Sequence, residues 1–494
     1  MVVLLLVVLP RHAYGNAGPY ARRTEKGLTD MVLPRLFRTA GIMSLLAAAL
    51  CAGAQARQID VAVGESVQAA IEKAEPGDVV RLRAGRHEGA VVIDRAIELT
   101  GEPGAVLDGL GTGNAITVNA PNAIVRGLEV HGSGDNLPDL HSGIFVSRTA
   151  TGARVENNRL IGNTYGIYLH GAADSIAIGN EVLGRRGVRM AETGSGVSVW
   201  NAPGAQVVGN TIRYGRDGIY TNASRKNIFR DNVMEDVRFA VHYMYTDDSA
   251  VIGNVSRNNS VGFAIMYTNR LKILNNVSEG DRDHGLLLNY ANSSIITGNR
   301  VVGRMQPIER WLEAGLQKGE HGVPGEEKVE ASAGETARLG PEKCVFIYNA
   351  NKNKFSENSF ENCSIGIHFT AGSEGNAMSG NSFINNRNQV KYVGTRNLDW
   401  SVDGRGNYWS DNPAFDLDGD GIADSPYRPN DLIDRVLWTV PQAKILINSP
   451  AVDTIRWAQT QFPALLPGGV VDSHPLMKPL LKPTAQLKES KHND

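Results

Sequence analysis

Asparagine recurs down the middle of the chain at Asn158, Asn180, Asn210, Asn232, Asn254, Asn276, Asn299, Asn358 and Asn381. The steps are 22, 30, 22, 22, 22, 23, 59 and 23 residues, so most members stand one short repeat apart and the longer steps read as insertions. A period this short, filled by brief apolar alternations, cannot hold a helix pair and matches one turn of a coiled sheet. The expected fold is all-β: a right-handed parallel β-helix, with an N-terminal cap and a partly helical C-terminal tail.

Within the repeat a small residue opens an alternating segment: Gly166 in GIYLH, Gly218 in GIYTN, Ala240 in AVHYM, Gly262 in GFAIM and Gly366 in GIHFT. GVSVW, opened by Gly196, keeps the phase once eight residues around 185–192 are set aside as a loop. In these segments Ile167, Leu169, Val241, Tyr243, Phe263, Ile265, Ile367 and Phe369 alternate with other types, which puts them on the buried face of a strand and turns the residues between them outward. Stacked turns lie roughly 4.8 Å apart, so equivalent outward residues form columns along the axis. Asparagine suits the bend because it bonds nearby backbone and tolerates left-handed geometry.

Composition fits a long solenoid: 42% apolar residues and 54 glycines. With 50 basic and 52 acidic residues the net charge is only -2, which offers no nucleic-acid surface. The start of the chain reads as export. From Met31, Arg35 and Arg38 precede an apolar run over 42–50 and a small-x-small site at Ala54, Gln55 and Ala56, so a secretory signal would be cleaved after Ala56 to leave an exported chain from Arg57. Residues 1–30 read as an overextended gene start. Leu50 is too large for a lipoprotein cleavage site before Cys51, which favours a soluble exported protein. Cys344 and Cys363 remain, either as a staple between adjacent turns or as two buried thiols. The divisions are 1–56, upstream extension and signal; 57–102, cap; 103–400, β-helix with a polar insertion at 305–343 that starts as a helix over 307–318; and 401–494, loop and helical tail, with a helix over 452–462.

Three constellations could carry chemistry. His242 and Met244 lie two residues apart on one outward face, and Met266, 22 residues after Met244, falls in the same column one turn on. Imidazole and thioether are soft donors that favour Cu(I), although an apolar patch covered by another part of the chain would use the same residues. His170 and His368 share these columns on distant turns. The second is Asp281 to Gly285, DRDHG, which with Tyr220 and His242 suggests the acid and proton-moving groups of a polysaccharide lyase or uronate epimerase; the alternative is a solvated turn. The third is DLDGDGIAD, where Asp416, Asp418, Asp420 and Asp424 take positions 1, 3, 5 and 9 of a calcium-type loop with Gly421 at position 6. Tyr427 stands where the bidentate glutamate would be, so calcium or a plain polar turn both fit.

The run GRGNYWSDNPAFDLDGDGIADSPY over 404–427, the segment VLWTVPQAKILINSPAVDTIRWAQ and the ending PALLPGGVVDSHPLMKPL resemble the NosD family of nitrous oxide reductase maturation proteins, over about 58–479. The resemblance implies a periplasmic accessory protein, of a family for which no enzymatic activity is established. It would work with an ABC transporter permease and ATPase and a copper chaperone to assemble the copper-sulfur centre of nitrous oxide reductase. No catalytic residue is carried over by it, and a carbohydrate-active β-helix enzyme is the competing reading.

Overall fold

The computed structural model describes residues 56–308, 334, 336–394, 396–462 and 468–480. The export signal, the lipoprotein question at Cys51 and most of the helix expected over 307–318 lie outside the described residues.

Three sheets of thirteen, thirteen and twelve strands run the length of the coil, and their strand order follows the chain turn by turn. One turn consists of Ala250–Ile252 in the first sheet, Val255–Arg257 in the second and Val261–Asn269 in the third. Each pairs in parallel with its equivalent in the next turn. All eight residues expected inside, from Ile167 to Phe369, lie in one continuous buried core. The segment read as a cap, 57–102, already supplies coil strands, the first sheet beginning at Gln58–Val61. Its turns lack the asparagine mark, which hid them. What closes that end is the helix Val67–Lys73, whose N-terminus is capped by Ser66 and whose buried side is Val67, Ala70 and Ile71.

The asparagines form a ladder inside the bend between the first and second sheets. Asn232 donates its backbone N–H and its Nδ2 to Asn254 Oδ1 at 3.1 and 2.8 Å, and Nδ2 also reaches the Val207 carbonyl at 2.9 Å. Each rung thus satisfies backbone groups that a buried bend would otherwise orphan. The left-handed residue is the one before the rung, such as Gly179, Gly209, Gly253 or Asn275, not the ladder asparagine itself. One residue turns the chain and the next bonds inward, so the two properties expected of a single asparagine are divided between neighbours.

Asn299 bonds Asn358 at 2.9 Å as if no insertion lay between them. The insertion leaves through Arg304–Pro307, paired antiparallel with Ala337–Gly340. Just beyond it Cys344 and Cys363 form a disulfide with Cα atoms 5.7 Å apart, which resolves their pairing. At the far end Asn407 is a tenth rung, and the tail closes it. Asp472 Oδ2 accepts from the Asn407 backbone at 2.7 Å and from Trp409 Nε1 at 2.8 Å. Trp409 stacks on Phe383 at 4.2 Å. A Cβ on Gly406 would stand 1.7 Å from Asp472 Oδ1, so only glycine fits there. The tail carries the helix Leu432–Thr439, with a capping box from Asp431 and Asp434, and the helix Pro450–Gln461, capped by Ser449. No helix among the described residues is long and apolar enough to cross a membrane.

Candidate functional site

The three outer walls differ in chemistry. The first and second carry ion pairs between turns, such as Arg126 with Glu98, Arg159 with Glu129 and Glu181, and Arg300 with Glu361. The third presents aromatic, histidine and methionine side chains instead. One of its columns runs Tyr220, His242, Ala264, Leu287, Phe346 and His368.

Beside it Met244 faces Met266 directly across the pairing of Phe239–Met244 with Val261–Asn269. His242 precedes Met244 by two residues on the same face, and its upper neighbour in register is the small Ala264. The open surface expected for both methionines is not what the structure has. Met266 is only 7% exposed and packs with Phe239, Val261, Ala264 and Leu287 in a second apolar cluster outside the coil core, with Met244 half-buried at its edge. Large outward residues on adjoining turns, so close along the axis, bury one another. The thioethers therefore sit in a low-dielectric patch, which disfavours a doubly charged ion more than a singly charged one. His170 is three register steps below Met244 and His368 four above His242, so neither joins them.

The sequence reading missed Asp217 and Arg238. Arg238 grips Asp217 with two hydrogen bonds of 2.8 Å, and His242 Nδ1 lies 3.0 Å from Asp217 Oδ2. Burial opposes the charge on Asp217, but Arg238 and His242 overcome it and hold the carboxyl well below the usual carboxylate range. A signal for this pair did exist: an acid whose next two column neighbours are the apolar Phe239 and Val261, with a base 21 residues later.

The DRDHG segment is neither an exposed acidic site nor a solvated turn. Asp281, Arg282, Asp283 and His284 are all buried. Asp281 points into the coil and accepts from Ser256, Ser278 and the Asn259 N–H. Arg282 pairs with Asp283, and burial pushes His284 down to about 3, leaving it neutral. Tyr220 and His242 are adjacent as expected, ring centroids 5.1 Å apart. The exposed Tyr245, Tyr267 and Tyr290 stack on each other at 5.1 Å and 5.1 Å, which covers both faces of Tyr267 with its neighbours' rings.

In the acidic loop Asp416, Asp418 and Asp420 bring carboxylate oxygens within 4.8 Å of one another. Asp416 accepts from the Gly419 and Gly421 N–H groups, and these bonds, Gly421 first, hold its carboxyl below the usual range. Asp424 does not join them; it accepts from the Leu417 N–H at 2.8 Å.

A protein of Stutzerimonas stutzeri described as a probable ABC transporter binding protein NosD is 41% identical over 411 residues, covering 83% of this chain and 88% of its own. The chain belongs to the NosD family. A NosD protein of Pseudomonas aeruginosa with the same description is 39% identical over 419 residues, covering 83% of this chain and 92% of its own. The family model, described as periplasmic copper-binding protein (NosD), matches residues 178–414. That span contains Asp217, Arg238, His242, Met244 and Met266 and stops just before the acidic loop. Among solved structures the Dettilon tailspike protein superposes with a TM-score of 0.50 at 14% identity, covering 69% of each chain, a likeness of fold alone.

Proposed function

We propose that this NosD family member handles copper in the periplasm, taking Cu(I) as cargo at His242, Met244 and Met266 on the third wall. It passes the metal on for assembly of the copper-sulfur centre of nitrous oxide reductase, with a copper chaperone as donor and an ABC transporter permease and its ATPase as partners. The observation that carries this reading is the register pairing of Met244 with Met266 beside His242. It places two thioethers and an imidazole, the donor types that select Cu(I), on one patch of a chain whose family is described as copper-binding. Exposed apolar residues on the tail, Ile445 at 90% and Leu446 at 58%, support that segment as the contact with the transporter. The convergence of Asp416, Asp418 and Asp420 supports calcium as a structural clip at the start of the tail. The carbohydrate-enzyme alternative loses its acidic cluster, since Asp281 and Asp283 are both buried.

The test replaces both methionines by leucine, which keeps the packing volume that Met266 contributes and removes only sulfur. In competition with a colorimetric Cu(I) chelator, Met244→Leu with Met266→Leu should lose one tightly held equivalent while melting like the parent. Undiminished affinity in the double variant would remove the site.

A further inference from the structure

We propose, building on the copper reading above, that Asp217 and Arg238 are positioning residues that fix His242 in the tautomer with hydrogen on Nδ1, keeping the Nε2 lone pair for metal. Two groups contact Nδ1, and they demand opposite tautomers. Asp217 Oδ2, at 3.0 Å, can only accept, which requires Nδ1–H; Arg238 Nη2, at 3.4 Å, can only donate, which requires a bare Nδ1. The shorter contact, to a carboxylate, is the stronger, and it sets the tautomer; Arg238 Nη2 already gives one hydrogen to that carboxylate at 2.8 Å, and its contact with Nδ1 is the longer one. Among the described residues no hydrogen bond reaches Nε2. The ring cannot easily turn to exchange its nitrogens: Phe239 meets it edge-to-face at 4.9 Å and Tyr220 lies 5.1 Å away.

Stability alone does not explain the arrangement. A buried Arg–Asp pair often contributes no more than apolar residues of the same volume would. Here the pair is almost fully buried, with Arg238 also over the Phe239 ring at 4.3 Å, and its remaining acceptor capacity is directed at one imidazole nitrogen. A carboxylate behind a histidine is how metal-binding imidazoles are oriented.

The test begins without metal. In the full chain labelled with ¹⁵N-histidine, two-bond proton–nitrogen correlations near neutral pH, assigned with His242→Gln, should show His242 with Nδ1 protonated and Nε2 bare. A dominant Nε2–H form would overturn the inference. Asp217→Asn should then shift that tautomer pattern and weaken Cu(I) about 10- to 100-fold in chelator competition, stoichiometry unchanged. A folded Asp217→Asn protein with parental affinity would overturn it as well. If the parent itself binds no Cu(I), the copper reading fails, while the tautomer spectrum still decides the clamp; it also decides if the variant does not fold.

Discussion

Asp281 sits inside the coil at 0% exposure, and among the described residues no cation reaches it. Burial raises its carboxyl to about 7 from 3.8, against the opposing pull of Ser278, Asn259 and Ser256. The folded state therefore keeps a proton that the unfolded chain releases near pH 4. Its contribution to stability is complete below that pH and is lost as pH rises through 7, at up to about 1.4 kcal/mol per unit. Asp281→Asn, the residue type of the equivalent Asn259, should remove that slope: its melting temperature should exceed the parent's at pH 8 and approach it near pH 5. Equal gaps at both values would contradict the assignment. Which residues face outward was legible from the sequence, since alternation and the 22-residue step are local properties. How far a residue is covered was not, because Met266 and the DRDHG side chains owe their burial to neighbours on other turns. Asp217 was passed over for the same reason: its role comes from Arg238 closing over it one turn later.

At the level of elements, the ladder was visible in nine of its ten rungs because asparagine is rarely repeated so regularly by chance. Asn407 stands 26 residues after Asn381, off the 22- to 23-residue step that marks its neighbours, so spacing does not reveal it, and GNYWSD carries it instead. The structure explains that motif physically: Gly406 leaves room for Asp472, Asn407 extends the ladder and Trp409 covers the last turn. In the acidic loop the spacing suggests four ligands, of which Asp416, Asp418 and Asp420 converge while Asp424 accepts from the Leu417 N–H. If three carboxylates hold calcium, millimolar Ca²⁺ should raise the melting temperature and a chelator should reverse it, with the gain blunted in Asp418→Asn. The absence of any calcium-dependent shift in the parent would leave a plain polar turn.

Over the whole molecule, chemistry is divided by wall and by end: surface ion pairs on two walls, soft donors beside one buried ion pair on the third, exposed apolar side chains on the tail. If the tail meets the transporter, Ile445→Asp with Leu446→Asp should reduce co-purification with the permease without lowering Cu(I) affinity. Loss of copper binding in that variant would mean that the two regions are not independent. The ladder gives this separation its mechanical meaning. Asn299 and Asn358 clasp across 59 residues of chain as closely as rungs 22 apart, so contour length at that point is decoupled from the spacing of the wall. A segment emerging there can be lengthened, shortened or reshaped for a new partner while the distance from the methionine patch to the tail stays constant, like an attachment moved along a graduated rail.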